Sequence, residues 1–209
     1  MDEKAARVEQ IFREAGAYRD GHFQLKSGRH GDRYIEKFEV LQWPDRVAEL
    51  VGMMVARASG VEVVVGPTVG GVILAYECAR QLAVRDIFAE EVTDAGGGRQ
   101  RALRRGFRIA VGERVMLVDD VVTTGGSLAE MVPLVEASGG ELVLVSVLVD
   151  RSGGLHQVQS RTTGRSYPVD ALWSLSLPTY EAGADCPGCA AGVALQTPGS
   201  SGTKQISAS

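Results

Sequence analysis

The chain has 209 residues, enough for one domain with appendages and for a core that needs no covalent staples. A net charge of −4 argues against a dedicated nucleic-acid binder, so any anionic small molecule must be met by local basic groups. No apolar run of about 18 residues is present, the first residues are charged, and three cysteines suit a reducing compartment, so no membrane association and a cytoplasmic location are expected.

In chain order, Val8, Ile11, Phe12 and Ala15 follow helical spacing, with Gly16 as the stop. Residues 18–38 carry β-type side chains broken by Gly21, Gly28 and Gly31, which predicts short strands and turns. Pro44 opens a second helix with Val47, Leu50, Val51, Met54 and Val55 on one face. Residues 61–65 form a β-branched run, interrupted only at Glu62, that ends in Gly66-Pro67 and precedes an apolar helix through Ile73, Leu74 and Cys78. Another short strand is predicted over 85–88, and a buried one over 115–118 that enters Asp119-Asp120. A helix over 128–137, the Gly139-Gly140 stop and a strand over 142–149 follow. Apolar strands alternating with helices imply parallel strands covered on both faces. The expected fold is therefore a doubly wound, mainly parallel α/β sheet. Its expected parts are an N-terminal hood over 1–40, the core over 41–182 and a C-terminal segment over 183–209 with a disordered tail. Residues 93–105 combine Ala95-Gly96-Gly97-Gly98 with four arginines and read as a mobile basic loop.

The most informative stretch is Val-Met-Leu-Val-Asp-Asp-Val-Val-Thr-Thr-Gly-Gly-Ser over 115–127. A buried strand delivers Asp119 and Asp120 at its C-terminal end, where open α/β sheets bind ligands. The chain then turns through Thr123, Thr124, Gly125, Gly126 and Ser127 into a helix. Glycines allow close backbone approach, amides at the helix start face outward, and the hydroxyls add donors, which makes an anion cradle without lysine. Paired carboxylates suit the vicinal hydroxyls of a ribose. A phosphate at one end and a diol at the other describe ribose 5-phosphate.

This stretch resembles the signature of type I phosphoribosyltransferases, and the chain as a whole is most similar to the orotate enzymes among them. The resemblance implies that Asp119, Asp120, Val121, Val122 and residues 123–127 bind phosphoribosyl pyrophosphate. It assigns Thr68, Val69, Gly70 and Gly71, in the Gly-Pro-Thr-Val-Gly-Gly turn, to the pyrophosphate through backbone amides. Many orotate enzymes carry a lysine about where Gly70 falls. The segment Phe23-Gln-Leu-Lys-Ser-Gly-Arg29, continuing to Tyr34, resembles the start of the orotate enzymes. It implies that Lys26 approaches the substrates and that Tyr34 packs over the base, with Thr123 alongside. Arg151 matches the second member of an Asp-Arg pair, and a planar guanidinium suits the carboxylate of orotate.

The resemblance also implies Mg2+ bound through the substrate rather than by side chains, and a homodimer. The region corresponding to the family's closing loop is acidic at Glu90 and Glu91 and lacks histidine. Arg99 or Arg101 is therefore the expected cation for the leaving pyrophosphate. Rival readings are a purine, xanthine or uracil phosphoribosyltransferase and a regulator that senses the same sugar. Cys186-Pro-Gly-Cys189 forms a knuckle suited to zinc, but four ligands are needed and only Cys78 remains among the cysteines. His22, His30 and His156 share no metal spacing, and His30 is expected at the surface.

Overall fold

The computed structural model describes residues 3–25, 27–93 and 97–198. Helix α1 (Glu3–Glu14) buries Val8, Ile11 and Phe12, and Gly16 turns the chain at φ +69°. Strands β1 (Tyr18–Gln24) and β2 (His30–Ile35) pair antiparallel, with Gly28 at φ +80° in the connection. Gly21 and Gly31 do not break these strands as expected but lie within them. Gly21 falls where the register shifts between Asp20 and Phe23, and a Cβ there would meet the Phe23 ring at 2.8 Å. After a short turn of helix, α2 (Phe38–Leu41), Pro44 occupies the first turn of α3 (Pro44–Val55). The buried stripe of α3 is Val47, Leu50, Val51 and Met54.

The main sheet begins with β3 (Val63–Pro67), followed by α4 (Gly70–Leu82), β4 (Arg85–Thr93) and β5 (Arg99–Leu103). Strand β6 (Arg114–Val122), helix α5 (Gly126–Ala137) and strand β7 (Glu141–Asp150) form the next crossover. Beyond Asp150 the structure adds β8 (Gln157–Gln159) and β9 (Ser166–Ser174), which the sequence reading does not anticipate. Two short elements close the chain, β10 (Thr179–Tyr180) and α6 (Pro187–Ala190).

Seven strands run in the order β5-β4-β3-β6-β7-β9-β8, with β4 through β9 parallel and the two edge strands antiparallel. Alternate residues point to opposite faces, as the period of a strand requires. Val64, Met116, Val118 and Leu148 pack with α1, α3 and α4, whereas Val63, Val65, Val115, Leu117, Val145 and Val147 pack with α5. The sheet is thus doubly wound. Chain progression goes outward from β3 to β4 on one side and from β6 to β7 on the other. The reversal lies between β3 and β6, so the turns after these two strands open side by side.

A second sheet, β1-β2-β10, forms the hood. The C-terminal segment extends it, because Gln196 bridges Phe23 and exchanges backbone hydrogen bonds with His22 and Gln24, each 2.8 Å long.

The expected loop over 93–105 is instead a hairpin. Strands β4 and β5 pair through Glu91 opposite Arg101 and Thr93 opposite Arg99, so it is their partnership rather than β-branched content that makes β5 a strand. Residues 94–96 lie outside the described residues.

Candidate active site

Strand β6 carries Asp119 and Asp120 to the carboxyl end of the sheet, where both are buried. The Asp120 amide donates to Asp119 Oδ1 at 2.8 Å, and the Val121 amide donates to Asp120 Oδ1 at 2.5 Å. Burial, and then the neighbouring charge of Asp120, push the Asp119 carboxyl up to about 6. The Asp120 amide, the Ser127 hydroxyl and Lys37 oppose that shift. Lys37 Nζ sits 2.5 Å from Asp120 Oδ2 and supplies the counter-charge. No motif in the sequence marks Lys37; only the return of the hood over the sheet brings it there.

Past Val122 the chain leaves the strand and turns through Gly125, at φ +76°, into α5. Residues 119 and 121–127 line a concavity of about 60 Å³. Thr123 and Thr124 are exposed, and Gly125 at the N-cap has no side chain to cap the helix; the Gly126 amide makes a long 3.4 Å bond to Thr124 Oγ1, a contact weak enough for an anion to replace. Val122 lines this space although its side chain is buried in the core. The larger concavity, about 190 Å³, lies at the opposite, amino-terminal ends of β7 and β9, beside Arg57 and Asp170.

The turn between β3 and α4 is closed by glycine. A Cβ on Gly66 would lie 2.1 Å from the Gly71 carbonyl oxygen, and one on Gly71 would lie 2.4 Å from Pro67 Cδ. A Cβ on Gly70 would fall 1.7 Å from Asp120 Oδ2. The position where many orotate enzymes carry a lysine therefore has no room for a side chain while Asp120 keeps this orientation. Arg101 reaches the same turn from β5, donating to the Thr68 carbonyl at 3.2 Å and to Thr68 Oγ1 at 3.0 Å. Arg99 stays away, exposed and 3.5 Å from Glu91.

Arg151 follows β7 and is partly buried beside Tyr34. Burial lowers its pKa, the phenol of Tyr34 opposes this, and Nε has no hydrogen-bond partner among the described residues. Asp150 does not pair with it. That carboxylate accepts from Ser152 and from the Leu155 amide at 2.6 to 2.8 Å. Tyr34 also packs on Phe23, with ring centroids 5.6 Å apart, and lies under the Arg19 guanidinium. The structure thus brings Tyr34 and Arg151 together. The expected role of Lys26 lies outside the described residues.

An acidic pair against an amide loop at a sheet reversal is what a phosphorylated sugar requires, and known families share it. The sequence model of the phosphoribosyl transferase domain matches residues 39–168, which span β3 through β8 and both turns. The chain belongs to the phosphoribosyltransferase family. Orotate phosphoribosyltransferase of Pelotomaculum thermopropionicum is 44% identical over 192 residues, covering 91% of this chain and 94% of its own. The enzyme of that name from Caldanaerobacter subterraneus is 40% identical over 199 residues, covering 93% and 96%. Among solved structures, orotate phosphoribosyltransferase from Aeropyrum pernix aligns with a TM-score of 0.63 and 25% identity, over 80% of this chain and 93% of that one. Adenine phosphoribosyltransferase from Trypanosoma brucei aligns with a TM-score of 0.64 at 20% identity, over 83% and 82%, which shows the phosphoribosyltransferase fold alone.

One other residue departs from expectation. His30 is buried rather than exposed, because β2 turns it inward against His22. Cys78 is buried in α4 as expected, and burial pushes its thiol up to about 12, so it is an inert core group.

Proposed function

We propose that this protein transfers the phosphoribosyl group from phosphoribosyl pyrophosphate to orotate, giving orotidine 5'-monophosphate and pyrophosphate. The choice of base rests on Arg151, a partly buried guanidinium beside an aromatic ring, with an Nε that has no hydrogen-bond partner among the described residues. A flat, anionic base matches that pair: the ring stacks on Tyr34 while the carboxylate meets the guanidinium. The names of the similar curated proteins agree.

Asp119 and Asp120 accept hydrogen bonds from the ribose hydroxyls, and the amides of 124–127 take the 5-phosphate. As the bond from ribose C1 to pyrophosphate breaks and the bond to the base nitrogen forms, positive charge develops on the sugar ring. Negative charge develops on the departing pyrophosphate. The buried carboxylates lie on the sugar side of that separation, and Arg101 with the 68–71 amides lies on the pyrophosphate side. No strong general base is needed, because orotate arrives as an anion. The β4–β5 hairpin serves as the cover that keeps water from the activated sugar.

The reading includes Mg2+ held through substrate oxygens and water rather than by side chains or in a protein cage. When bound, the cation neutralises the leaving group. A homodimer in the cytoplasm completes the reading. Among the described residues no helix is long and apolar enough to cross a membrane, and exposed Phe38, Trp43 and Tyr76 offer apolar area to a second copy. The deciding assay is pyrophosphate release with orotate, uracil, xanthine and adenine, each with and without Mg2+. Turnover confined to orotate with Mg2+ supports the reading, and turnover of another base in its place overturns it.

A further inference from the structure

The Cys186-Pro-Gly-Cys189 knuckle gains in three dimensions the two ligands that its sequence lacks. Strand β1 presents His22 and strand β2 presents His30 to the start of α6. The ligand atoms of His22, His30, Cys186 and Cys189 all lie within 4.8 Å of one another. His22 Nε2 is 3.4 Å from Cys186 Sγ and 3.6 Å from Cys189 Sγ. His30 Nδ1 is 3.2 Å from Cys189 Sγ and 2.8 Å from His22 Nε2. A tetrahedron with metal–nitrogen bonds of about 2.0 Å and metal–sulfur bonds of about 2.3 Å has edges of roughly 3.3–3.8 Å. The imidazole pair at 2.8 Å and the His30 Nδ1–Cys189 Sγ pair at 3.2 Å are closer than that, both involve His30, and a small rotation of its ring opens them.

We infer that these four side chains form a closed, structural zinc site. Two thiolates and two imidazoles in tetrahedral array are the donor set that selects zinc. Two thiolates also cancel the charge of a divalent cation, which lets the site be buried without an unpaired charge. His22, His30 and Cys186 are buried and Cys189 is partly buried, and four protein ligands leave no open position for a substrate.

The surrounding structure orients the ligands. The His22 Nδ1–H donates to the Val193 carbonyl at 2.8 Å, which fixes the tautomer that turns the Nε2 lone pair toward the two sulfurs. Gly188, between the cysteines, packs so closely that a Cβ would lie 2.5 Å from His22 Cγ. The site is thus a staple. It joins the C-terminal segment to the β1–β2 hairpin, alongside the Gln196 bridge and the bonds from Arg29 to Thr179, and so steadies the hood that carries Tyr34.

The test uses the full chain, made without a histidine tag in zinc-supplemented medium and purified under reducing conditions. About one zinc per chain is expected by elemental analysis, retained through dialysis. Cobalt added to the stripped protein should give the visible bands of a tetrahedral site together with thiolate-to-metal charge transfer. Cys186→Ser, Cys189→Ser and His22→Ala should each lower zinc content and shift the cobalt spectrum, whereas Cys78→Ser should change neither. Removing the metal from the wild-type protein should lower its melting temperature. Trace zinc in the wild type, a disulfide between Cys186 and Cys189 under these conditions, or full zinc content in His22→Ala would each overturn the inference. Metal content is read independently of turnover, so a failed assay with orotate leaves this test intact.

Discussion

In so closed a space, burial and the neighbouring charge of Asp120 raise the energy of the ionised form of Asp119. Its carboxyl moves from an ordinary 3.8 to about 6, chiefly through burial. Because the folded pKa lies above the unfolded one, this group's contribution to stability is fully present below about pH 4 and lost as pH rises through 6. Binding runs the other way, since ribose hydroxyls need an ionised acceptor. The kcat/KM for phosphoribosyl pyrophosphate should therefore rise through an acidic limb near pH 6. Asp119→Asn should abolish that limb and lower kcat/KM by about 10–100-fold, equivalent to a lost charged hydrogen bond of about 1.5–3 kcal/mol. An unchanged limb in the variant would exclude Asp119 as its source. Arg151 makes a separate prediction. Arg151→Ala should raise KM for orotate by about 10–100-fold while KM for the sugar stays near the wild-type value. Equal changes in both constants would mean that the guanidinium acts on the hood as a whole rather than on the base.

At the scale of the element, the β4–β5 hairpin separates two arginines that look equivalent in the sequence. Arg101 lies against the Thr68 turn, and its exposed neighbour Arg99 faces Glu91. Glu90 and Glu91, where the family carries cations, find partners along the same hairpin in Arg105 and Arg99. Exposed pairs of this kind contribute little to stability, so the charges can be altered without unfolding the ribbon. Arg101→Ala should reduce kcat by about 10-fold or more, as one electrostatic contact to the leaving group is lost. Arg99→Ala should stay close to wild type, and steady-state kinetics with matched melting curves distinguish the two. Full turnover in a variant lacking both arginines would remove the hairpin from the chemistry.

For the whole molecule, Trp173 joins the layers. It sits near the end of β9, and its ring meets Phe12 of α1 at 5.6 Å and Tyr18 of β1 at 5.1 Å, both edge to face. Phe12 and Trp173 are buried, so α1 is fastened to the main sheet and the hood grows from the same anchor. Trp173→Ala should cost about 3–5 kcal/mol in urea unfolding, through lost burial and the cavity left behind. A loss below about 1 kcal/mol would show that α1 and the hood are held by other contacts.

Local chemistry was legible in the chain without its fold. The strand 115–118 and its two aspartates, the glycine-threonine turn and the helix after it follow from burial and backbone freedom, both decided within a few residues. The parallel core followed from apolar runs long enough to be covered on both faces. What only the tertiary structure decided are meetings between distant segments. Lys37 reaches Asp120, Tyr34 reaches Arg151, Arg101 reaches Thr68, and two histidines eight residues apart meet two cysteines more than a hundred residues later. Side chains that share a site in this way carry no common period or spacing, because strand order and the hood's return over the sheet set their separation.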